Sequence, residues 1–127
     1  MLVFGYEPTE SPPAPYLDLH VADGAPGTPS LAARAKLDSG ASLTVLPVAM
    51  VRQLSLDPTG AIDVRAYNGR VTTRLTYEVN LLIGSRRFDS LRITVAHRRN
   101  VLLGRDVMNQ LFITLDGHQL TVTIHDA

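Results

Sequence analysis

Asp38 stands at the end of one apolar run and shortly before another, in the stretch Ala35-Lys36-Leu37-Asp38-Ser39-Gly40-Ala41-Ser42-Leu43-Thr44-Val45-Leu46-Pro47. A carboxylate in that position can accept hydrogen bonds from the Ser39 hydroxyl and from nearby backbone N–H groups, which keep it oriented and ionised for general acid/base work. By itself the tripeptide Asp-Ser-Gly reads as the start of an ordinary turn, where all three residue types are common.

Other chemistries find no matching set of residues. Gly40-Ala41-Ser42-Leu43-Thr44 half matches the Gly-x-Ser-x-Gly pattern of serine nucleophiles, but the setting of a strand running into a long helix is missing. His20, His97, His118 and His125 are scattered singly, without the spacing of metal ligands, and read as exposed or singly hydrogen-bonded residues. The absence of cysteine removes a disulfide framework, a thiolate zinc site and a thiol nucleophile together. Gly69 is isolated, so no glycine-rich loop is present to cradle a phosphate. No metal and no cofactor are expected.

The 127 residues suit one domain with a modest core. Twelve basic and twelve acidic residues cancel, so no electrostatic footprint points to nucleic acid or to an anionic membrane. Met1 to Glu7 lacks the basic region and apolar length of a signal peptide, and no later run reaches membrane-spanning length. The chain is expected to be soluble and cytoplasmic, with neither nucleic acid nor membrane as a partner.

The elements that must position Asp38 read mostly as short strands. Leu2 to Tyr6 is a candidate edge strand, and residues 7–15, with four prolines, form an extended arm that is a candidate for a dimer-interface segment. Tyr16 to Val21 alternates apolar and polar residues, a turn-rich stretch follows over 23–29, and Leu31 to Leu37 returns as the second strand of a hairpin ending at Asp38. Val48, Val51 and Leu54 after Pro47 predict a short helix over 48–54. Asn68-Gly69 predicts a two-residue hairpin turn between strands in the stretch 64–79. Further strands are read at 79–83, 86–88, 91–95 and 101–103, one or two helical turns at 107–111, and a last hairpin around Asp116-Gly117 with Leu120, Val122 and Ile124 on one face. Many short, closely spaced strands mean an all-β barrel or sandwich.

Three features in one order, Leu37-Asp38-Ser39-Gly40-Ala41, the Asn68-Gly69 hairpin about thirty residues later, and Val101-Leu102-Leu103-Gly104-Arg105-Asp106, resemble the retropepsin-like aspartic proteases. The resemblance covers about residues 16–124, so residues 16–127 are read as the protease domain and 1–15 as the arm before it. It implies an all-β fold, a small closed β barrel with a flap hairpin and one short C-terminal helix, starting near Arg105, that assembles as a symmetric homodimer. It implies that Asp38 is catalytic with Ser39 and Gly40 completing its loop, and that Ala41, Ser42, Tyr67, Asn68 and Gly69 contact a peptide or protein substrate. Leu103 and Gly104 would pack against the Asp38 loop with Arg105 and Asp106 in support, Asp106 as a hydrogen-bond acceptor near a helix start.

Stoichiometry follows from the chemistry. Aspartic protease catalysis needs two carboxylates sharing one proton, yet the chain offers a single Asp-[Ser/Thr]-Gly. The function implied is therefore an aspartic endopeptidase whose dyad is Asp38 and the same residue of a second copy, on a two-fold axis. Apolar pocket linings would favour apolar side chains beside the cut bond. One departure stands out: retroviral enzymes usually carry an Asp where this chain has Ser42, which leaves Arg105 without its usual partner. The alternative is a peptide-binding module on the same fold that does not cut.

Overall fold

The computed structural model of the chain describes residues 1–126. In chain order the elements are β1 (Leu2–Gly5), β2 (Tyr16–Ala22), β3 (Ser30–Leu37), β4 (Val45–Pro47), α1 (Val48–Gln53), β5 (Gly60–Arg65), β6 (Val71–Ile83), β7 (Arg86–Ala96), β8 (Val101–Leu103), α2 (Arg105–Met108), β9 (Ile113–Asp116) and β10 (Thr121–Ile124). Period-two alternation builds the strands: in β2, Leu17, Leu19 and Val21 turn inward while Asp18 and His20 face out.

Six strands close a barrel in the order β2-β3-β8-β4-β7-β6, with β6 pairing back onto β2 through Val21 and Leu81. Closure leaves no edge within the ring. β5 is outside it, attached to the projecting half of β6. The core inside the ring includes Leu17, Leu19, Val21, Leu46, Val79, Leu81, Ile93 and Leu103, all essentially buried, each contributing about 2 kcal/mol of burial. Met50 and Val51 of α1, with Leu54 after it, join that core.

A second sheet, β1-β10-β9, covers one side. Leu2, Ile124 and Ile113 stand opposite one another, as do Phe4, Val122 and Leu115, so alternate positions of the sheet present one apolar face; Val122 and Ile124 are fully buried. β1 thus pairs with β10 of its own chain. The proline-rich segment behind it is held against the barrel, with Glu7 bridged to Ala14 and the Pro15 carbonyl accepting from the Leu37 N–H at 3.0 Å.

Four sequence expectations differ in detail. The hairpin at Asn68-Gly69 turns on three residues, Tyr67 to Gly69, because only Gly69 takes a positive φ (+84°) and the Gly69 N–H bonds the Ala66 carbonyl. The stretches read as strands at 79–83, 86–88 and 91–95 are the end of β6 and most of a single β7, continuous through a bulge between Val79 and Leu81 where the Asn80 side chain accepts from the Ser90 N–H. Leu120 lies in the turn with φ +56° and not on the strand face, since the Asp116 carboxylate caps the His118 and Gln119 amides and draws four residues into the loop. The last helix starts at Arg105, where the resemblance puts it and two residues before the helical turns read over 107–111 from the residues alone, because Gly104 is the extended residue at its entry.

Candidate active site

β3 and β8 run parallel, with Leu37 opposite Leu103, and the Asp38 N–H continues that ladder by donating to the Leu103 carbonyl at 2.9 Å. The chain then turns sharply. The Ala41 N–H returns to the Asp38 carbonyl at 3.1 Å, and the Gly40 N–H donates to Asp38 Oδ1 at 2.8 Å. One carboxylate oxygen is thus fixed by its own loop and the half-buried group is aimed by backbone, as an Asx turn does.

Behind this loop the chain crosses itself at very short range. A Cβ on Gly104 would stand 2.7 Å from the Leu43 carbonyl carbon and 3.0 Å from the Ala41 oxygen. Only glycine fits where two backbones approach so closely. Arg105 ties the crossing on both sides: its N–H donates to the Ala41 carbonyl at 2.9 Å and its guanidinium Nη1 to the Ser39 carbonyl at 2.6 Å. Lacking a carboxylate at position 42, Arg105 therefore bonds a main-chain oxygen of the Asp38 loop. Ser42 is exposed.

Asp106 accepts from the Thr44 N–H (3.0 Å), the Thr44 hydroxyl (2.8 Å) and the Val107 N–H (2.9 Å), while Thr44 Oγ1 itself accepts from the Gly104 N–H at 3.1 Å. Thr44 is completely buried. It was given no role by the sequence reading, although a hydroxyl inside the apolar run Leu43 to Leu46 is the signal that would have found it, because a buried polar group must be paired.

The loop opens onto a cleft of about 320 Å³ roofed by the β5–β6 hairpin. Gly40, Ala41, Ser42 and Leu43 line its floor and Ile62 to Arg65 its roof, with Val45 and Thr94 between them. Of the expected substrate contacts, Ala41 and Ser42 are in this cleft. Tyr67, Asn68 and Gly69 form the hairpin tip, exposed to solvent and outside the lining. Val45, Ile62, Val64 and Thr94 were not singled out in the sequence, since their role depends on which way each strand faces. Among the described residues no group of three or more His, Asp or Glu is placed to hold a metal ion, and no helix is long and apolar enough to cross a membrane.

Charges cluster where the arm meets β2 and β3. Glu10 pairs with Lys36 at 2.6 Å, and Arg34 bridges Glu7 at 3.3 Å and Asp18 at 3.0 Å while stacking over the Tyr16 ring. The Lys36 ammonium and then the Tyr16 hydroxyl hold the Glu10 carboxyl below its ordinary range, and Glu10 in turn raises Lys36. Burial, followed by the Glu10 hydrogen bond, raises Tyr16. This clamp lies one residue from the strand end that carries Asp38.

Comparison with known proteins agrees with this geometry. A family model described as gag-polyprotein putative aspartyl protease matches residues 30–110. No curated protein matches the chain. Among solved structures, EIAV protease complexed with the inhibitor HBY-793 superimposes with a TM-score of 0.61 at 19% identity, over 84% of this chain and 93% of that one. A retropepsin-like aspartic protease from Rickettsia conorii gives 0.63 at 14% identity, over 97% and 88%. Simian foamy virus (mac) protease gives 0.55 at 17%, over 74% and 91%. With the Asp38 loop, the flap-like hairpin and the six-stranded ring in one arrangement, the chain belongs to the gag-polyprotein aspartyl protease family and has the retropepsin fold.

Proposed function

We propose that the protein is an aspartic endopeptidase that works as a homodimer, with Asp38 of each copy forming the dyad. The observation that carries this reading is the Asp38 loop itself: a carboxylate oriented by the Gly40 N–H and backed by the Gly104 crossing, in a loop whose following residues, Gly40 to Leu43, line the floor of a cleft under a hairpin. A single copy supplies half of the required acid/base pair.

In the dimer two carboxylates about 3 Å apart share one proton. The ionised one takes a proton from a water whose oxygen bonds the scissile carbonyl carbon, while the protonated one gives its proton to the carbonyl oxygen. Return of a proton to the amide nitrogen then breaks the C–N bond. Ser39 and Gly40 complete the loop, and an extended peptide lies between floor and flap, with Ala41 and Ser42 below and Tyr67, Asn68 and Gly69 closing from above.

A mixed peptide library incubated with protein verified as dimeric, between about pH 4 and 7, tests the reading. Cleavage that disappears in Asp38→Asn with the fold retained supports it. No cleavage anywhere in that range defeats it and leaves a peptide-binding module.

A further inference from the structure

At the root of the hairpin that roofs the cleft, Arg74 carries a charge that no carboxylate of the described residues pairs. Arg74 of β6 stands opposite Ile62 of β5, so both side chains leave the hairpin on one face. Two residues further along the same face, Thr76 stands opposite Thr94, and Thr94 pairs in turn with Val45. Ile62, Thr94 and Val45 all line the cleft. Arg74 therefore shares a sheet face with these three cleft residues, at the root of the hairpin and just beyond the cleft lining itself.

Its guanidinium is incompletely satisfied. Nη1 donates to the Val95 carbonyl at 2.8 Å, a neutral acceptor, while Nε is buried and bonds nothing, the sole buried side-chain nitrogen or oxygen so left among the described residues. The five ion pairs of the described residues do not include Arg74. The one carboxylate of the facing strand, Asp63, itself a lining residue of the cleft, alternates with Ile62, pairs opposite Thr73 and accepts from the Thr73 hydroxyl at 2.8 Å. Withdrawing a guanidinium from water without a carboxylate is unfavourable, and a ligand that brings one relieves the penalty.

An extended peptide presents alternate side chains to roof and floor, so one of its positions must meet the root of the hairpin. A carboxylate there matches the planar guanidinium and supplies the absent Nε acceptor together with the counter-charge. We propose that Arg74 is a specificity-determining residue that selects an Asp or Glu side chain at the peptide position beneath the flap root. This replaces, at that one position, the apolar preference implied by Leu43, Val45, Ile62 and Val64, and it rests on the peptide-cleft reading above.

The test reads binding and cleavage separately, using octapeptides in which each position carries Asp, Glu, Asn, Gln, Leu or Lys in turn. Binding is measured on Asp38→Asn protein and cleavage on the wild type. At one position Asp or Glu should be favoured over Asn or Gln by about tenfold or more. Arg74→Gln should abolish that preference and Arg74→Glu should turn it toward Lys. Arg74→Lys, which keeps the charge, should retain it in weaker form and serves if the other variants do not fold. A wild type without acid preference, or an Arg74→Gln or Arg74→Lys profile showing that charge at 74 is irrelevant, overturns the inference. If nothing is cut but acid-selective binding through Arg74 persists, the peptidase reading fails and the role of Arg74 stands; cleavage without acid preference gives the converse.

Discussion

Thr44 is held by both oxygens of Asp106, its hydroxyl donating to Oδ1 at 2.8 Å and its amide to Oδ2 at 3.0 Å, across 62 residues of chain. Because the same hydroxyl accepts from the Gly104 N–H, these residues join the strand after the Asp38 loop to the start of α2. Thr44→Val keeps the shape and removes the acceptor, leaving the Gly104 N–H unpaired in a buried place. The expected loss is about 1–3 kcal/mol, read from the denaturant midpoint, with Thr44→Ser restoring most of it. An unchanged midpoint would show that water reaches the crossing.

Gly104→Ala places a methyl group against the Leu43 and Ala41 backbone, where no flexible side chain can yield. The expected cost is about 1–3 kcal/mol or more. Since the displaced segment is the second half of the Asp38 loop, catalytic turnover should fall by more than the folded fraction does. Thermal melting alongside turnover per folded molecule separates the two effects.

Asp38→Asn can keep the bond from the Gly40 N–H through its amide oxygen, so stability should change little. Cleavage should fall by about a thousandfold, within the range of lost acid/base catalysis. Mixing the variant with an equal amount of wild type adds a stoichiometric test. If dimers exchange freely and need both carboxylates, activity should fall to about a quarter of that of wild type at the same total concentration. A fall only to half would mean that each chain works alone.

The arm clamp is expected to open on acidification. Glu10 and Glu7 are both held below their ordinary range, Glu10 first by the Lys36 hydrogen bond and Glu7 first by that of Thr9. A depressed carboxylate contributes stability that is present above its unfolded value, about 4.3, and lost as pH falls through its folded value. Lys36 is raised, so its contribution is complete below its unfolded value and disappears only at strongly alkaline pH. Protection from hydrogen exchange over residues 6–15, taken relative to an unstructured chain at the same pH, should therefore be high at pH 7 and fall below about pH 4. Glu10→Gln should show the lower protection already at pH 7, and equal protection at both pH values in wild type would refute the clamp.

Local signals were sufficient for much of the architecture. Alternation in Tyr16 to Val21 and Leu91 to Val95 announced strands, Pro47 and the spacing after it announced α1, and the single Asp-Ser-Gly announced a carboxylate needing a partner. These are properties of neighbouring residues, so sequence alone determined them. Long-range pairing decided the rest. Gly69 alone takes the positive φ because the register between β5 and β6 leaves three residues to turn. Arg105 found the Ser39 carbonyl in the absence of an acid at position 42, and Thr44 found Asp106. Nothing local marks Arg74, and only its pairing with Ile62 puts it on the sheet face shared with Thr94 and Val45. The sequence determined which residues are apolar, acidic or able to turn, whereas only the closed barrel decided which of them meet, because facing and burial depend on partners tens of residues away.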